Sequence, residues 1–233
     1  MANLINLEQL EKTLGIKFQD PKLLHQALIH RSYLNENKAE KTSNERLEFL
    51  GDSVLSLFVA NFLYHRFPQA PEGRLTSLRS LLVKTKALAA LAQKLHLGDF
   101  LLMSKGEEWG GGRTNPSLLA DTFEAVVGSI FLDQGTTITE HFLSHHLFPL
   151  IKNVESNADL LDYKSSLQEI VQNQKHSSPQ YEIIEEKGPD HDKTFAIGVF
   201  VQGRLLGTGH GKSKQAAEQQ AAKLALEKLA KVR

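Results

Sequence analysis

The chain has 233 residues, is 41% hydrophobic, and balances 27 basic against 27 acidic side chains, so its formal charge is zero. Such a length suits two small domains, the apolar content excludes a disordered chain, and the neutral balance argues against a surface that binds polyanions all over. Cysteine is absent, which excludes disulfides and thiolate metal sites and fits a reducing compartment.

The N-terminal stretch 1–18 carries acids early and has no long apolar run, so no secretory signal is expected. No stretch reads as the roughly 20 apolar residues of a membrane span, and a cytoplasmic location with no membrane partner is expected. The first 150 residues carry apolar positions near a 3.6-residue period in NLEQLEKTL, PKLLHQALIHRS, ERLEFLGDSVLSLFVANFLYHRF, RLTSLRSLLVKTKALAALAQKL and LADTFEAVVGSIFLD. These runs predict an all-α domain over 1–152. Turn signals separate them at Asp20-Pro21, from Phe67-Pro68 to Gly73, at Gly98-Asp99, and from Gly110 to Asn115-Pro116.

Residues 153–162 are polar and lack an apolar stripe, which predicts a linker. A helix over 163–174 follows, then strands over 180–186, 193–201 and 204–210, with a tight hairpin at Gln202-Gly203 and an Ala-rich helix over 213–231. This αβββα order predicts a small α+β domain over 163–233. Residues 1–159 hold 16 basic and 18 acidic side chains, and 160–233 hold 11 and 9. An acidic front and a basic back hint at divided labour.

The chemistry-bearing stretch is NERLEFLGDSVL, residues 44–55. On a helix, Glu45, Glu48 and Asp52 share about 60° of arc, while Leu47, Leu50, Val54, Leu57 and Phe58 face elsewhere. Stacked acids repel, and a hard divalent cation with oxygen ligands relieves the repulsion. Asp121 and Glu124 form a second pair, three residues apart, on one of the most apolar helices. The spacing leaves two readings open: a metal site between two helices, or a solvated Glu45 with Asp121 and Glu124 as a capping box. The histidines form no ligand pattern; His145 and His146 face different ways on a helix, and His30 and His65 read as packing or surface residues. Gly110–Gly112 lacks the Lys-Ser/Thr of a phosphate-cradling loop, so no nucleotide cofactor is expected.

The segment ERLEFLGDSVL resembles the signature motif of the ribonuclease III family. LLHQALIHRSYLNE, PEGRLTSLRSLLV and GGRTNPSLLADTFEAVVGSIFLDQG resemble further parts of that family's catalytic domain. The resemblance implies a homodimeric endoribonuclease that hydrolyses both strands of double-stranded RNA and leaves 5′-phosphate and 3′-hydroxyl ends. It implies Mg²⁺, with Mn²⁺ as a substitute, on Glu48, Asp52, Asp121 and Glu124. It gives Asp52 and Glu124 catalytic roles, and Glu45 and Glu72 supporting ones near the active-site valley. Ribosomal and other RNA precursors are the implied substrates, and Phe49 is a candidate for the dimer interface. Asn44 receives no role.

In the second domain, YKSSLQEIVQ, GPDHDKTF and GHGKSKQAAEQQAA resemble a double-stranded-RNA-binding domain, whose fold reads A-form shape across successive grooves. The resemblance places Gln168 and Glu169 at one minor groove and His191 at the next. Lys212, Ser213 and Lys214 fall on the intervening phosphates, at a helix start whose free N–H groups favour anions. Gln215 departs from the family by standing where many relatives carry another lysine. The rival expectation is a catalytically inactive duplex-RNA binder, whose mark would be a missing ligand carboxylate; all four are present.

Overall fold

In the computed structural model, residues 6–152, 163–173, 178–189 and 193–230 are described. The chain divides into two compact units, Met1–Val154 and Glu155–Arg233. The expected linker, 153–162, lies outside the described residues.

The first unit is helical, as its periodicity predicts. Its elements are α1 (Leu7–Leu14), α2 (Pro21–Ala27), α3 (Tyr33–Glu36), α4 (Glu45–Arg66), α5 (Glu72–Val83), α6 (Thr85–Lys94), α7 (Leu97–Phe100), α8 (Lys105–Trp109) and α9 (Pro116–His146). Several starts follow from capping chemistry. Asp20 accepts from the Lys22 N–H ahead of Pro21, and Asn115 accepts from the Ser117 N–H ahead of Pro116. Helix α1 stops at Gly15, which takes the left-handed φ of 69°.

Three features differ from the sequence reading. The single run expected over 74–95 breaks at Lys84, whose extended backbone (φ −65°, ψ 147°) separates α5 from α6. Gly98-Asp99 sits inside the short helix α7 and is no turn; a Cβ at Gly98 would come within 2.2 Å of the Arg113 carbonyl oxygen, so a close backbone approach explains that glycine. Helix α9 runs further than expected, with a kink at Gly135 (φ 76°, ψ −169°).

Helices α4 and α9 form the centre of this unit. Leu47, Val54, Leu55, Phe58, Val59 and Leu63 from α4 pack in one core with Leu119, Phe123, Val126, Val127 and Ile130 from α9. Against the expectation, α4 is long and apolar enough to cross a membrane by length and composition. Its acids fall in its first turns, which leaves an apolar remainder with one side in the core and Leu57 and Tyr64 exposed.

The second unit has α10 (Tyr163–Asn173), β1 (Gln180–Lys187), β2 (Thr194–Val201), β3 (Arg204–Gly211) and α11 (Lys214–Ala230). The sheet is antiparallel in the order β1-β2-β3. Gln202 and Gly203 both have positive φ, 51° and 74°, as a two-residue hairpin turn of this hand requires. Leu167 and Val171 from α10, Val199 and Val201 from β2, and Ala221, Ala222 and Ala225 from α11 make a separate core. Alanines allow α11 to lie close on the sheet: a Cβ at Gly209 would come within 2.2 Å of the Ala217 carbonyl oxygen.

Candidate metal centre and nucleic-acid interface

The acidic cluster is made by the crossing of α4 and α9. A Cβ on Gly51 would lie 1.8 Å from the Glu124 carbonyl oxygen, and one on Gly128 would lie 2.3 Å from that of Leu47. The two backbones therefore touch, and only glycine permits it. This contact brings the α4 acids, one turn from Gly51, against the acids of α9. Carboxylate oxygens of Glu48, Asp121 and Glu124 lie within 4.8 Å of one another. The capping-box reading of Asp121 and Glu124 does not hold, because α9 starts at Pro116 with Asn115 as its cap and both acids sit further along the helix.

All three carboxyls of this trio are half-buried, and all three are held above the ordinary carboxylate range. Burial dominates in each case. Glu124 is pushed up to about 8 by burial and by the charges of Asp52, Asp121 and Glu48. Burial raises Glu48, with Asp121, Glu45 and Asp52 adding repulsion. Burial raises Asp121, and His30 draws it partly back. Asp52 is exposed and lies outside the tight trio, yet its charge acts on both Glu48 and Glu124. Half-buried acids set against one another in this way are poorly tolerated alone and well matched to a hard cation with oxygen ligands.

Beside the trio is a pocket of about 270 Å³ lined by His30, Arg31, Asn44, Glu45, Glu48, Leu118 and Asp121. Glu45 stands exposed at its edge, accepting from the Ser43 hydroxyl at 2.8 Å and facing Arg31 at 3.8 Å. Sequence reasoning passed over His30, Arg31 and Asn44 here, because no spacing rule links residues 30 and 121. It also passed over Gly51 and Gly128, although a glycine inside a helix is itself a signal of close backbone approach. Glu72 is not brought to this pocket. It accepts from the Thr76 hydroxyl at 2.8 Å and lines a different depression with Tyr64, Leu75 and Arg79.

Phe49, on α4 within the same signature stretch, is 77% exposed. It borders an apolar depression of about 580 Å³ together with Leu23, Leu47, Leu50 and Leu132.

In the second unit, Gln168 is exposed on α10. The side chain of Glu169 and the whole of His191 lie outside the described residues. Lys212, Ser213 and Lys214 are exposed at the start of α11. Ser213 is the helix cap: its hydroxyl accepts from the Ala216 N–H at 3.1 Å, and its carbonyl accepts from the Ala217 N–H. The Lys214 ammonium lies 5.8 Å from the centroid of the Phe195 ring.

Comparisons with known proteins agree with this geometry. A ribonuclease-III-like family model matches residues 20–151, and a double-stranded RNA binding motif matches residues 163–229. The chain is 47% identical over 223 residues to Ribonuclease 3 of Geobacillus thermodenitrificans, covering 95% of this chain and 90% of that one. It is 45% identical over 222 residues to Ribonuclease 3 of Enterococcus faecalis, covering 95% and 96%. A solved nuclease domain of ribonuclease III from Campylobacter jejuni, described for flexibility in a region involved in dimer formation, superposes with a TM-score of 0.58 at 44% identity. It covers 62% of this chain and 99% of that one.

Proposed function

The chain belongs to the ribonuclease III family, and on that premise we propose that its α4–α9 crossing is the metal-dependent centre of a cytoplasmic endoribonuclease that cuts both strands of duplex RNA. One observation carries the reading: the carboxylates of Glu48, Asp121 and Glu124 converge within 4.8 Å, half-buried and mutually repelling. Glu48, Asp52, Asp121 and Glu124 would hold Mg²⁺, with Mn²⁺ as a substitute. Such a cation, when bound, supplies Lewis acidity, neutralising charge on a scissile phosphate and acidifying water.

The chain's own part is placement. The glycine-permitted crossing brings Glu48 against Asp121 and Glu124 before any ligand arrives, so little reorganisation of these three is needed. Glu124, pushed up to about 8, would bind a proton in competition with a cation, which ties occupancy of the centre to pH. Glu45, tied to Ser43 and Arg31, supports the edge of the pocket. Glu72 lines a separate depression and is not given a ligand's role. The products are 5′-phosphate and 3′-hydroxyl ends, and precursors of ribosomal and other RNAs are the substrates.

The domain assignment is a catalytic domain over 1–152, a linker over 153–162 and a duplex-RNA-binding domain over 163–233. In the latter, Lys212 and Lys214 lie on phosphates, Gln168 and Glu169 at one minor groove, and His191 at another. Ser213 caps α11 and so aims the free N–H groups of its first turn at the backbone. The active form is a homodimer, supported by an exposed Phe49 beside an apolar depression of a size to receive such a ring.

Incubation with a long RNA duplex, with and without Mg²⁺, tests the proposal. Cleavage that needs the cation is expected. A duplex left intact under saturating Mg²⁺, but still bound, would mark a binding protein instead.

A further inference from the structure

The pocket beside the acidic trio has a lining of mixed charge. Glu45, Glu48 and Asp121 are its acids; His30 and Arg31 are the residues of the lining that can carry positive charge, and Arg31 already faces Glu45 at 3.8 Å, while the buried Asn44 adds an amide. His30 is held more firmly than a surface histidine needs to be. Its backbone N–H donates to the Leu102 carbonyl at 2.9 Å, and the Leu102 N–H donates to the Leu28 carbonyl at 2.9 Å. This short parallel bridge joins Ile29 to Leu102, and the Ile29 carbonyl in turn accepts from the N–H of Asn44, the cap residue immediately before α4. The backbone of His30 is thus tied to the helix that carries Glu48.

The ring is oriented as well. The Ser32 hydroxyl lies 2.8 Å from Nδ1 of His30, and the Ser32 backbone N–H donates to the same nitrogen at 3.4 Å. An amide N–H can only donate, so in the neutral ring Nδ1 accepts and the proton sits on Nε2. The Ser32 hydroxyl oxygen accepts in its turn from the Ser104 N–H at 2.9 Å, which leaves the hydroxyl proton for Nδ1. Nε2 carries a proton whether the ring is neutral or charged, so His30 presents an N–H donor in both states.

The structure assigns His30 as a substrate-binding residue: its Nε2–H receives a non-bridging oxygen of the RNA backbone in the pocket beside Glu48 and Asp121. The chemical reason is charge. Glu45 lies outside the four residues that would hold the cation and still repels an entering phosphodiester, so a donor in the same lining offsets that charge, and a pocket of about 270 Å³ has room for the group and for water. This inference rests on the nuclease reading above.

The test compares the full chain with His30→Ala, His30→Gln and Ser32→Ala on a duplex RNA, at saturating Mg²⁺ and across a Mg²⁺ titration. A second duplex carries neutral methylphosphonates at the phosphates flanking the cut. His30→Ala should lower kcat/KM by about tenfold to a hundredfold, the span of one hydrogen bond to a charged group. His30→Gln, whose amide can still donate, should recover much of that loss, and Ser32→Ala should fall between. Any shift in the Mg²⁺ concentration for half-maximal rate should be shared by His30→Ala and His30→Gln, since both remove from Asp121 the influence of the imidazole. The methylphosphonate duplex should slow the wild type and leave His30→Ala no slower than it already is. Thermal midpoints report folding; should His30→Ala unfold, the glutamine variant and the modified duplex carry the test. Wild-type cleavage matched by His30→Ala overturns the inference alone, as does a wild type that cuts the modified duplex as fast as the unmodified one, or a His30→Ala chain that the modified duplex slows as much as it slows the wild type. A wild-type chain that leaves duplex RNA intact overturns the nuclease reading, and this one with it.

Discussion

Glu124 concentrates the electrostatic problem of the site. Its carboxyl is pushed up to about 8, against 4.5 for an ordinary glutamate. Between those two values the folded, metal-free protein binds a proton that the unfolded chain has released, so stability falls as pH rises through this window and levels off above it. The thermal midpoint of chelator-treated protein should therefore drop from about pH 4.5 to about pH 8, and added Mg²⁺ should restore most of the loss at the upper end. Glu124→Gln should flatten that pH dependence, because the amide does not titrate. A slope unchanged by the substitution would place its source elsewhere. The same variant should still bind duplex RNA while losing cleavage by about two orders of magnitude or more, since a neutral amide is a poor ligand for a hard cation. Cutting at the wild-type rate under saturating Mg²⁺ would remove Glu124 from the centre.

The helix crossing is the element on which the site depends. Gly51 leaves no room for a methyl group, with the Glu124 carbonyl oxygen 1.8 Å from the ideal Cβ position. Gly51→Ala should cost ~1–3 kcal/mol or more by forcing the helices apart. It should also lower cleavage in the molecules that remain folded, because the same shift separates Glu48 from Asp121 and Glu124. Thermal melting and a cleavage assay on one preparation check both; wild-type activity in Gly51→Ala would mean that the carboxylates do not need this spacing. At the start of α11, neighbouring residues should separate into two roles. Ser213→Ala removes the cap and should cost about 1 kcal/mol of stability. Lys212→Ala with Lys214→Ala should weaken binding of every duplex by a similar factor. It should flatten the log-log salt dependence by roughly 0.7–0.9 per lost contact and leave the cut positions in place. Sequence-selective loss of affinity in the double variant would put the RNA-binding surface elsewhere on the domain.

For the molecule as a whole, the two cores share no residue: one runs from Leu10 to Ile151, the other from Leu167 to Ala225. A fragment of residues 1–152 should thus stay folded and dimeric, and should still cut duplex RNA at low salt, where weak electrostatic attraction is strongest. Phe49→Asp should yield a monomer of unchanged helical content, since Phe49 is exposed in the single chain and contributes little to its core. Sedimentation and circular dichroism on both proteins decide the matter. A monomeric 1–152, or a dimeric Phe49→Asp, would move the interface away from this face.

Much of this was legible in the residues. The 3.6-residue period marked the helices of the first unit, while Asn115-Pro116 and Asp20-Pro21 marked two of their starts. Residues 180–210 carried three strands in the right places, and the resemblance of ERLEFLGDSVL singled out Glu48 and Asp52 before any fold was known. Local rules sufficed there because capping, periodicity and turn geometry act over a few residues. They could not separate a metal site from a capping box at Asp121 and Glu124, which share one spacing in both. They could not extract His30 from a list of surface residues, or say why Gly51 sits inside a helix. Those answers lie in the α4–α9 crossing and in the bridge between Ile29 and Leu102, contacts between residues some 70 apart in the chain. Sequence spacing carries no information about such pairs; burial, mutual repulsion and hydrogen-bond direction arise only when the backbone has brought them together.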